Sequence, residues 1–314
     1  MNRRTLTSIT RALPAWIVLC LLAAVSAAAL LAACGDSGGG SSPTPTATVT
    51  MTATPAVSPS SAPSPSPSAT TAASTALTLY FIRAGKLSVA ERLVPHTAAP
   101  ATAAVKELLK GPGVSERGAG LSTDVPRGVI LRHVFVAEGM ATVDLSSQFV
   151  MPASSDALRR RLAQLLYTVT RFADVRGLRL LIDGDLAREI PTVEGANLLL
   201  PDPLRRADSK GSLEPPIFVE TPGVGAVLSS PFILEGTASV FEGSFTARLV
   251  DGAGHGIVRT QVQASAGAPE RGRFRKTISF NTTAQSGTLI VYSQSMEDGS
   301  RQNEVRIPVR FSSD

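Results

Sequence analysis

The stretch SSDALRRRLAQLLYTVT at residues 154–170, followed by GLRLLIDG at residues 177–184, sets a helix directly before a strand. Ser154 or Ser155 offers a hydroxyl to cap the helix, and Leu158, Leu162, Leu165, Leu166 and Val169 recur at the spacing that stacks side chains on one helical face. Leu178 to Ile182 is then a strand, ended by Asp183-Gly184. Working backward, Val129 to Val136 and Met140 to Leu145 read as a hairpin joined near Glu138-Gly139. Further upstream, Pro100 suits the first turn of a helix carrying Val105, Leu108 and Leu109, which Gly111-Pro112 stops. Leu77 to Ile82 and Lys86 to Val94 are strand-like. The order β-β-α-β-β-α-β over about 115 residues predicts an α+β domain with two helices packed on one face of a sheet.

Downstream, residues 193–214 carry Pro201, Pro203, Arg205, Arg206 and Lys210 with little periodicity and read as a connection. Beyond them the period changes to two. Strands are expected at Ile217 to Glu220, Phe232 to Ala238, Phe245 to Asp251, Ile257 to Ala264, Arg273 to Phe280, Thr288 to Ser295 and Val305 to Phe311. Short strands of this number separated by Gly, Pro, Ser or Asp turns predict an all-β immunoglobulin-like sandwich. In the last strand Val305, Ile307, Val309 and Phe311 point one way, and Pro308, which has no N–H for a ladder, places it at a sheet edge.

The N-terminus is of another kind. Arg3, Arg4 and Arg11 precede an uncharged, mostly apolar stretch from Ala12 to Gly35 that ends in Leu31-Ala32-Ala33-Cys34-Gly35. It resembles a bacterial lipoprotein signal, in which Leu31, Ala32 and Ala33 serve signal-peptidase recognition and Cys34 receives a diacylglycerol on its thiol. The alternative is an uncleaved membrane helix, since an apolar run of about 18 residues can span a bilayer. Residues 41–75 hold seven Pro, eighteen Ser or Thr and no charge, too little apolar surface for a core, and read as a disordered stalk. The expected organisation is a signal peptide at 1–33, a lipidated Cys34 with stalk at 34–76, an α+β domain at 77–192, a connector at 193–214 and a β-sandwich at 215–314. Cleavage before Cys34 would reduce the formal charge from +5 to +2, leaving a nearly neutral protein.

The first globular unit resembles the GerMN domain of sporulation and spore-germination proteins. The matching blocks are Glu107-Leu-Leu-Lys-Gly-Pro112, Gly120-Leu-Ser-Thr-Asp-Val-Pro126, Ala141-Thr-Val-Asp-Leu-Ser-Ser-Gln-Phe149, and Leu165-Leu-Tyr-Thr-Val-Thr-Arg-Phe172 with Leu181-Ile-Asp-Gly184. The second unit resembles the Gmad2 immunoglobulin-like domain, on Pro222-x-x-Gly225, Ser230-Pro231, Gly236-Thr-Ala, Phe241-Glu-Gly243, Gly272-x-Phe274, Asp298-Gly-Ser and Asn303-Glu-Val-Arg-Ile-Pro308. The resemblance implies a non-catalytic envelope lipoprotein. The GerMN fold is similar to the ring-building motifs of secretion-type assemblies, which implies protein–protein packing and makes an oligomer one possible form. It supplies no catalytic residue.

Composition narrows the chemistry. Aromatics are 5 % and the formal charge is only +5, a weak basis for nucleic-acid binding. Two Cys and three His exclude a zinc cluster, and His96, His133 and His255 have no partner ligand at metal spacing. Asp183-Gly-Asp185 begins like a cation loop, with Glu194 at the twelfth position, but Leu186, Ala187 and Arg188 stand where ligands and Gly belong. Neither a phosphate-cradling loop nor a nucleophile motif appears, so no catalytic residue, metal or cofactor is expected. Arg159, Arg160 and Arg161 spread around their helix and read as a solvated face, whereas Arg271, Arg273 and Arg275 alternate onto one face of a strand, which is either the wet side of the sandwich, the preferred reading, or a candidate interaction surface for an acidic partner. The expected function is a lipid-anchored, extracytoplasmic protein that binds or assembles other envelope components; the alternative is a peptidoglycan-binding or peptidoglycan-active protein.

Overall fold

The structure, a computed structural model, describes residues 73–209 and 213–312. Leu31, Ala32, Ala33, Cys34 and most of the Pro/Ser/Thr tract lie outside the described residues. Those described belong to one compact unit.

The chain enters through strands β1 (Ser74–Arg83) and β2 (Lys86–Pro95), an antiparallel hairpin whose turn, Ala84-Gly85, takes positive φ at both residues. Helix α1 (Pro100–Leu109) buries Ala104, Val105 and Leu108, and a one-turn helix α2 (Val114–Gly118) follows it in a stretch that sequence reading leaves as a loop. Strands β3 (Leu131–Ala137) and β4 (Met140–Leu145) pair antiparallel around the positive-φ turn Glu138-Gly139. Helix α3 (Ser155–Val169) begins with the Ser154 hydroxyl accepting the Ala157 N–H at 3.2 Å, and it crosses over to β5 (Gly177–Ile182), which runs parallel to β4. A two-residue strand β6 (Asp185–Leu186) completes a sheet ordered β3-β4-β5-β6.

The domain is thus α+β, but its strands form two sheets instead of one. Within this domain the β1–β2 hairpin shares one isolated β-bridge with the other strands and loops, Ile82–Ser122, and α1 and α3 pack on β1, on each other and across to β3 and β5. Leu79, Tyr80, Phe81 and Ile82 are buried without alternation, so β1 needs cover on both of its faces.

The Arg159–Arg161 run is not a solvated face. Arg159 is exposed and Arg160 pairs with Asp124 at 2.7 Å. Arg161 is only 5 % exposed, and its guanidinium donates to the carbonyls of Asp124 at 2.9 Å, Phe149 at 2.7 Å and Met151 at 3.0 Å. Helical periodicity places Arg161 beside the Leu face; the loops that fold over that face supply the carbonyls which make burial of the charge tolerable.

Residues 193–214 are more than a connection. Strands β7 (Glu189–Pro191) and β8 (Asn197–Leu199) form a small hairpin, Leu204 exchanges backbone hydrogen bonds with Leu178, and a short helix α4 (Arg206–Ser209) follows. Leu200, Leu204 and Leu213 are buried.

The second domain contains β9 (Ile217–Thr221), β10 (Val227–Leu228), β11 (Phe232–Ala238), β12 (Ser244–Asp251), β13 (Gly256–Gln263), β14 (Gly272–Ile278), β15 (Ser286–Gln294) and β16 (Arg301–Phe311). A three-stranded sheet, β14-β11-β9, faces a five-stranded sheet, β10-β16-β15-β12-β13, as an immunoglobulin-like sandwich. Leu234, Leu249, Val291, Ile307 and an edge-to-face pair, Phe245 and Phe274 at 4.9 Å, fill the core. The outer position expected for β16 is modified: β10 pairs parallel with Arg310 and Phe311. Pro308 sits just before that pairing, where a donor is not required, and its carbonyl accepts the Gly225 N–H at 3.0 Å.

Replacing Arg161 with Leu leaves three carbonyls without their charged donor and is expected to destabilise the protein by about 2–4 kcal/mol. Arg159→Ala should stay within about 0.5 kcal/mol of the parent. Urea denaturation of both variants checks the difference.

Candidate functional site

In a free-standing sandwich the outer face of β14-β11-β9 would meet water. The register puts Phe218 opposite Thr237, Thr237 opposite Arg273 and Glu235 opposite Arg275, so these side chains share that outer face. Phe218 is nevertheless only 2 % exposed, because the first domain covers it. The rings of Tyr80 from β1 and Tyr167 from α3 lie 6.1 and 6.2 Å from the Phe218 ring and 5.4 Å from each other.

Arg206 of α4 is driven into this aromatic seam. Its guanidinium lies 4.4 Å from the Tyr167 ring centre and 5.4 Å from that of Tyr80, within cation–π range. It donates to Glu220 Oε1 at 2.7 Å, to Thr170 Oγ1 at 2.7 Å and to the Tyr167 carbonyl at 3.2 Å. Tyr80 donates its hydroxyl to the same Glu220 oxygen at 2.5 Å. Tyr167 donates to Glu214 Oε1 at 2.7 Å, and the other Glu214 oxygen lies 3.2 Å from Arg271 Nε. Burial, reinforced by the neighbouring glutamates, pushes both tyrosine hydroxyls well above the ordinary phenol range, so they act as neutral donors. Burial also pushes the Glu220 carboxyl up, but the Arg206 charge and the hydrogen bonds from Tyr80 and Arg206 outweigh it and hold Glu220 below its ordinary 4.5.

A second joint lies at the loop Pro222-Gly223-Val224-Gly225. Val224 accepts the Glu91 N–H at 2.9 Å and donates to the Val89 carbonyl at 2.8 Å, a parallel bridge onto β2. A Cβ on Gly223 would stand 2.9 Å from Val89 Cγ1 and 3.0 Å from the Ala90 carbonyl carbon, so only glycine lets the two backbones approach this closely.

Beside the aromatic seam opens a cleft of about 790 Å³. Its charged walls are Arg171 and Arg176 from the segment between α3 and β5, Arg205 and Arg206 at α4, and Arg271, Arg273 and Arg275 at β14, with Glu214, Glu220 and Glu235 among them. Three ion pairs use all three carboxylates: Arg206 with Glu220, Arg271 with Glu214 and Arg275 with Glu235. Arg171, Arg176, Arg205 and Arg273 reach no carboxylate among the described residues, although Arg171 donates to Thr221 Oγ1 at 2.9 Å. The formal charge of these lining residues is +4, in a chain whose residues 77–314 sum to only +3.

Arg271, Arg273 and Arg275 therefore do share one face, with different commitments. Arg271, just ahead of β14, is tied to Glu214, Thr237 and the Pro215 carbonyl; Arg275 is tied to Glu235; Arg273 is exposed. Sequence reading missed Tyr80, Tyr167, Arg171, Arg176, Arg205, Arg206, Glu214 and Glu220. The Leu200, Leu204 and Leu213 spacing around Arg205-Arg206 is the one local signal that this segment packs, and nothing local ties it to Tyr80.

The remaining candidates are dispersed. His255 Nδ1 lies 3.1 Å from Asp251 in an exposed turn, His133 stacks on Phe135 on an exposed sheet face, and His96 follows β2. Asp183 is taken by Arg132, which holds its carboxyl below the ordinary range. Among the described residues no group of three His, Cys, Asp or Glu could hold a metal ion.

Comparison with known families accounts for both domains. A family model described as "Sporulation and spore germination" (Germane) matches residues 78–187, and one described as an immunoglobulin-like domain of bacterial spore germination (Gmad2) matches residues 216–300. The chain carries a GerMN-like domain followed by a Gmad2 immunoglobulin-like domain. Among solved structures, the first GerMN domain of the sporulation protein GerM from Bacillus subtilis is 22% identical, over 43% of this chain and 99% of that one, with a TM-score of 0.37. The tandem GerMN domains of the same protein are 18% identical, over 66% of this chain and 62% of that one, with a TM-score of 0.38. No curated protein matches. In these terms the cleft lies between the GerMN-like and Gmad2 domains, and the Pro222-x-x-Gly225 block of Gmad2 is the surface that docks on β2.

Arg206→Met removes the cation from the seam, strands Glu220, and is expected to cost about 3 kcal/mol or more. Thermal and urea unfolding measure it. Because folding lowers the Glu220 pKa, its contribution is complete above pH about 4.5 and is lost as the pH falls through the folded-state value. Glu220→Gln should flatten that part of the stability–pH curve, measured by urea denaturation between pH 3 and 7, a range set by the ordinary carboxylate values.

Proposed function

We propose that this protein is a non-catalytic, lipid-anchored extracytoplasmic envelope protein that binds or assembles other envelope components during sporulation or spore germination. The observation that carries the reading is the arginine-walled cleft at the junction of two domains whose families are both described for sporulation and germination. Neither family is one of known enzymes. The seam holds its ionisable groups in mutual hydrogen bonds, an arrangement suited to keeping two domains in fixed register and unsuited to proton transfer with a substrate.

The anchor rests on Leu31-Ala32-Ala33-Cys34, followed by a stalk that would span about 30 Å as a flexible coil. Two acyl chains hold a protein at a bilayer far more firmly than one. No helix among the described residues is long and apolar enough to cross a membrane.

In cells of the source organism, metabolic labelling with an alkyne fatty acid should mark the wild-type chain and not Cys34→Ser. Cys34→Ser should also leave the membrane fraction. Equal labelling and equal membrane retention of the variant would count against the anchor. The purified chain incubated with cell wall is expected to release no soluble muropeptides, and their release would replace this reading with a peptidoglycan-active one.

A further inference from the structure

We propose that the cleft is a binding site for a linear phosphodiester polymer with a three-carbon repeat, a glycerol-phosphate chain carried either on the cell wall or on a membrane glycolipid. The inference rests on the reading of the protein as an envelope-binding protein and names the ligand of that same site.

The first argument is the kind of cation. Among the described residues all seven basic side chains that line the cleft are arginines. A guanidinium presents a rigid fork of donors that engages two oxygens of an oxyanion at once, which a lysine ammonium cannot do. The four arginines without a carboxylate come from both domains: Arg171 and Arg176 on one wall, Arg205 at α4, and Arg273 on the sheet. Arg205 has its own backbone N–H held by Asp208 at 2.7 Å, which fixes the start of α4 and leaves the guanidinium to the cleft. Arg275 and Glu235 are a solvent-facing pair, of the kind worth about 1 kcal/mol or less, so Arg275 can exchange its partner for an incoming anion.

The second argument is spacing. Arg273 and Arg275 project from one face of β14, two residues and six backbone bonds apart, a step of roughly 6.7 Å. A glycerol-phosphate chain also places six bonds between successive phosphorus atoms, so consecutive phosphates can meet consecutive arginines of an extended strand. A single phosphate would use a fraction of the walls.

The third argument is what the cleft lacks. Its larger apolar lining residues, Val175 and Phe274, are both buried, and among the described residues no Trp, Tyr or His lines it. Nucleobases need aromatic platforms, and protein partners bind chiefly through buried aromatic or aliphatic anchors. A polyanion without bases, read by charge and hydrogen bonds alone, fits such a lining.

The test uses the full-length chain in neutral detergent and a synthetic glycerol-phosphate hexamer, with hexaglutamate, oligothymidylate and a neutral chitin oligomer as competitors. The hexamer is expected to bind, and its association constant to fall steeply with salt, as counterion release requires. The variant Arg176→Gln/Arg205→Gln/Arg273→Gln removes side chains that hold neither an ion pair nor a hydrogen bond among the described residues, so its melting temperature should match wild type while its dissociation constant rises at least 30-fold. Arg159→Gln, also exposed and remote from the cleft, should bind as wild type does. Stronger binding of the hexamer on phosphatidylcholine vesicles carrying it as a glycolipid assigns the lipid-linked source; equal or weaker binding assigns the wall-linked one. Unchanged affinity in the triple variant, or preference for hexaglutamate, thymidylate or chitin oligomer, overturns the proposal. Failure here with Cys34-dependent anchoring intact leaves the envelope reading standing; loss of anchoring with hexamer binding intact overturns the anchor alone.

Discussion

A partly buried ion pair wedged between aromatic rings holds this protein together at its centre. Arg206 and Glu220 meet at 2.7 Å with Tyr80, Tyr167 and Phe218 around them. Taking such a pair out of water is costly, and the cost is offset only when nearly every donor and acceptor is matched. Here Arg206 reaches Glu220, Thr170 and the Tyr167 carbonyl, while Glu220 receives Tyr80 as well. The partners come from β1, α3, α4 and β9, so satisfying the pair requires both domains and the segment between them to be in place at once. Apolar contact alone would tolerate sliding; a forked guanidinium with three defined acceptors does not.

The cleft follows from that constraint. Once Phe218 is covered and the Val224 loop is bridged to β2, the rest of the outer sheet face is held next to the end of α3 and to α4. Arginines from three distant parts of the chain then face a common space. Among the described residues three carboxylates stand among them, each already paired, which leaves a concentrated positive field in a protein that is otherwise near neutrality. Low-dielectric walls around like charges strengthen their pull on an anion. The geometry also explains both glycines of the Pro222–Gly225 loop, since a Cβ on Gly223 would press on Val89 and Ala90 and one on Gly225 would stand 3.1 Å from the Glu91 carbonyl oxygen.

Much of the fold is legible locally. Period-two alternation located the strands of the sandwich, and the leucine spacing with its serine cap located α3, because burial of one face imposes its period on the sequence. The division of the first domain into two sheets was not legible, since pairing partners are chosen across long separations. Residues 193–214 were misread for a related reason: their leucines are buried against Leu178 and α3 without a regular period of their own. Arg161 shows the same limit from the other side. Its position beside an apolar face was visible, but the three carbonyls that accept its charge belong to loops elsewhere.

The sequence by itself determined the two domain types, their order, their longer strands and helices, and the alternation of Arg271, Arg273 and Arg275, because these leave short-range patterns of polarity and turn chemistry. Only the tertiary structure decided that Tyr80, Tyr167, Arg206, Glu214 and Glu220 form one network, and that Arg171, Arg176 and Arg205 face Arg273. Such groups are brought together by domain docking, and an arginine satisfied by a glutamate looks the same in a linear chain as an arginine left to face solvent. Charge counts are local; which charges cancel is a matter of three-dimensional distance.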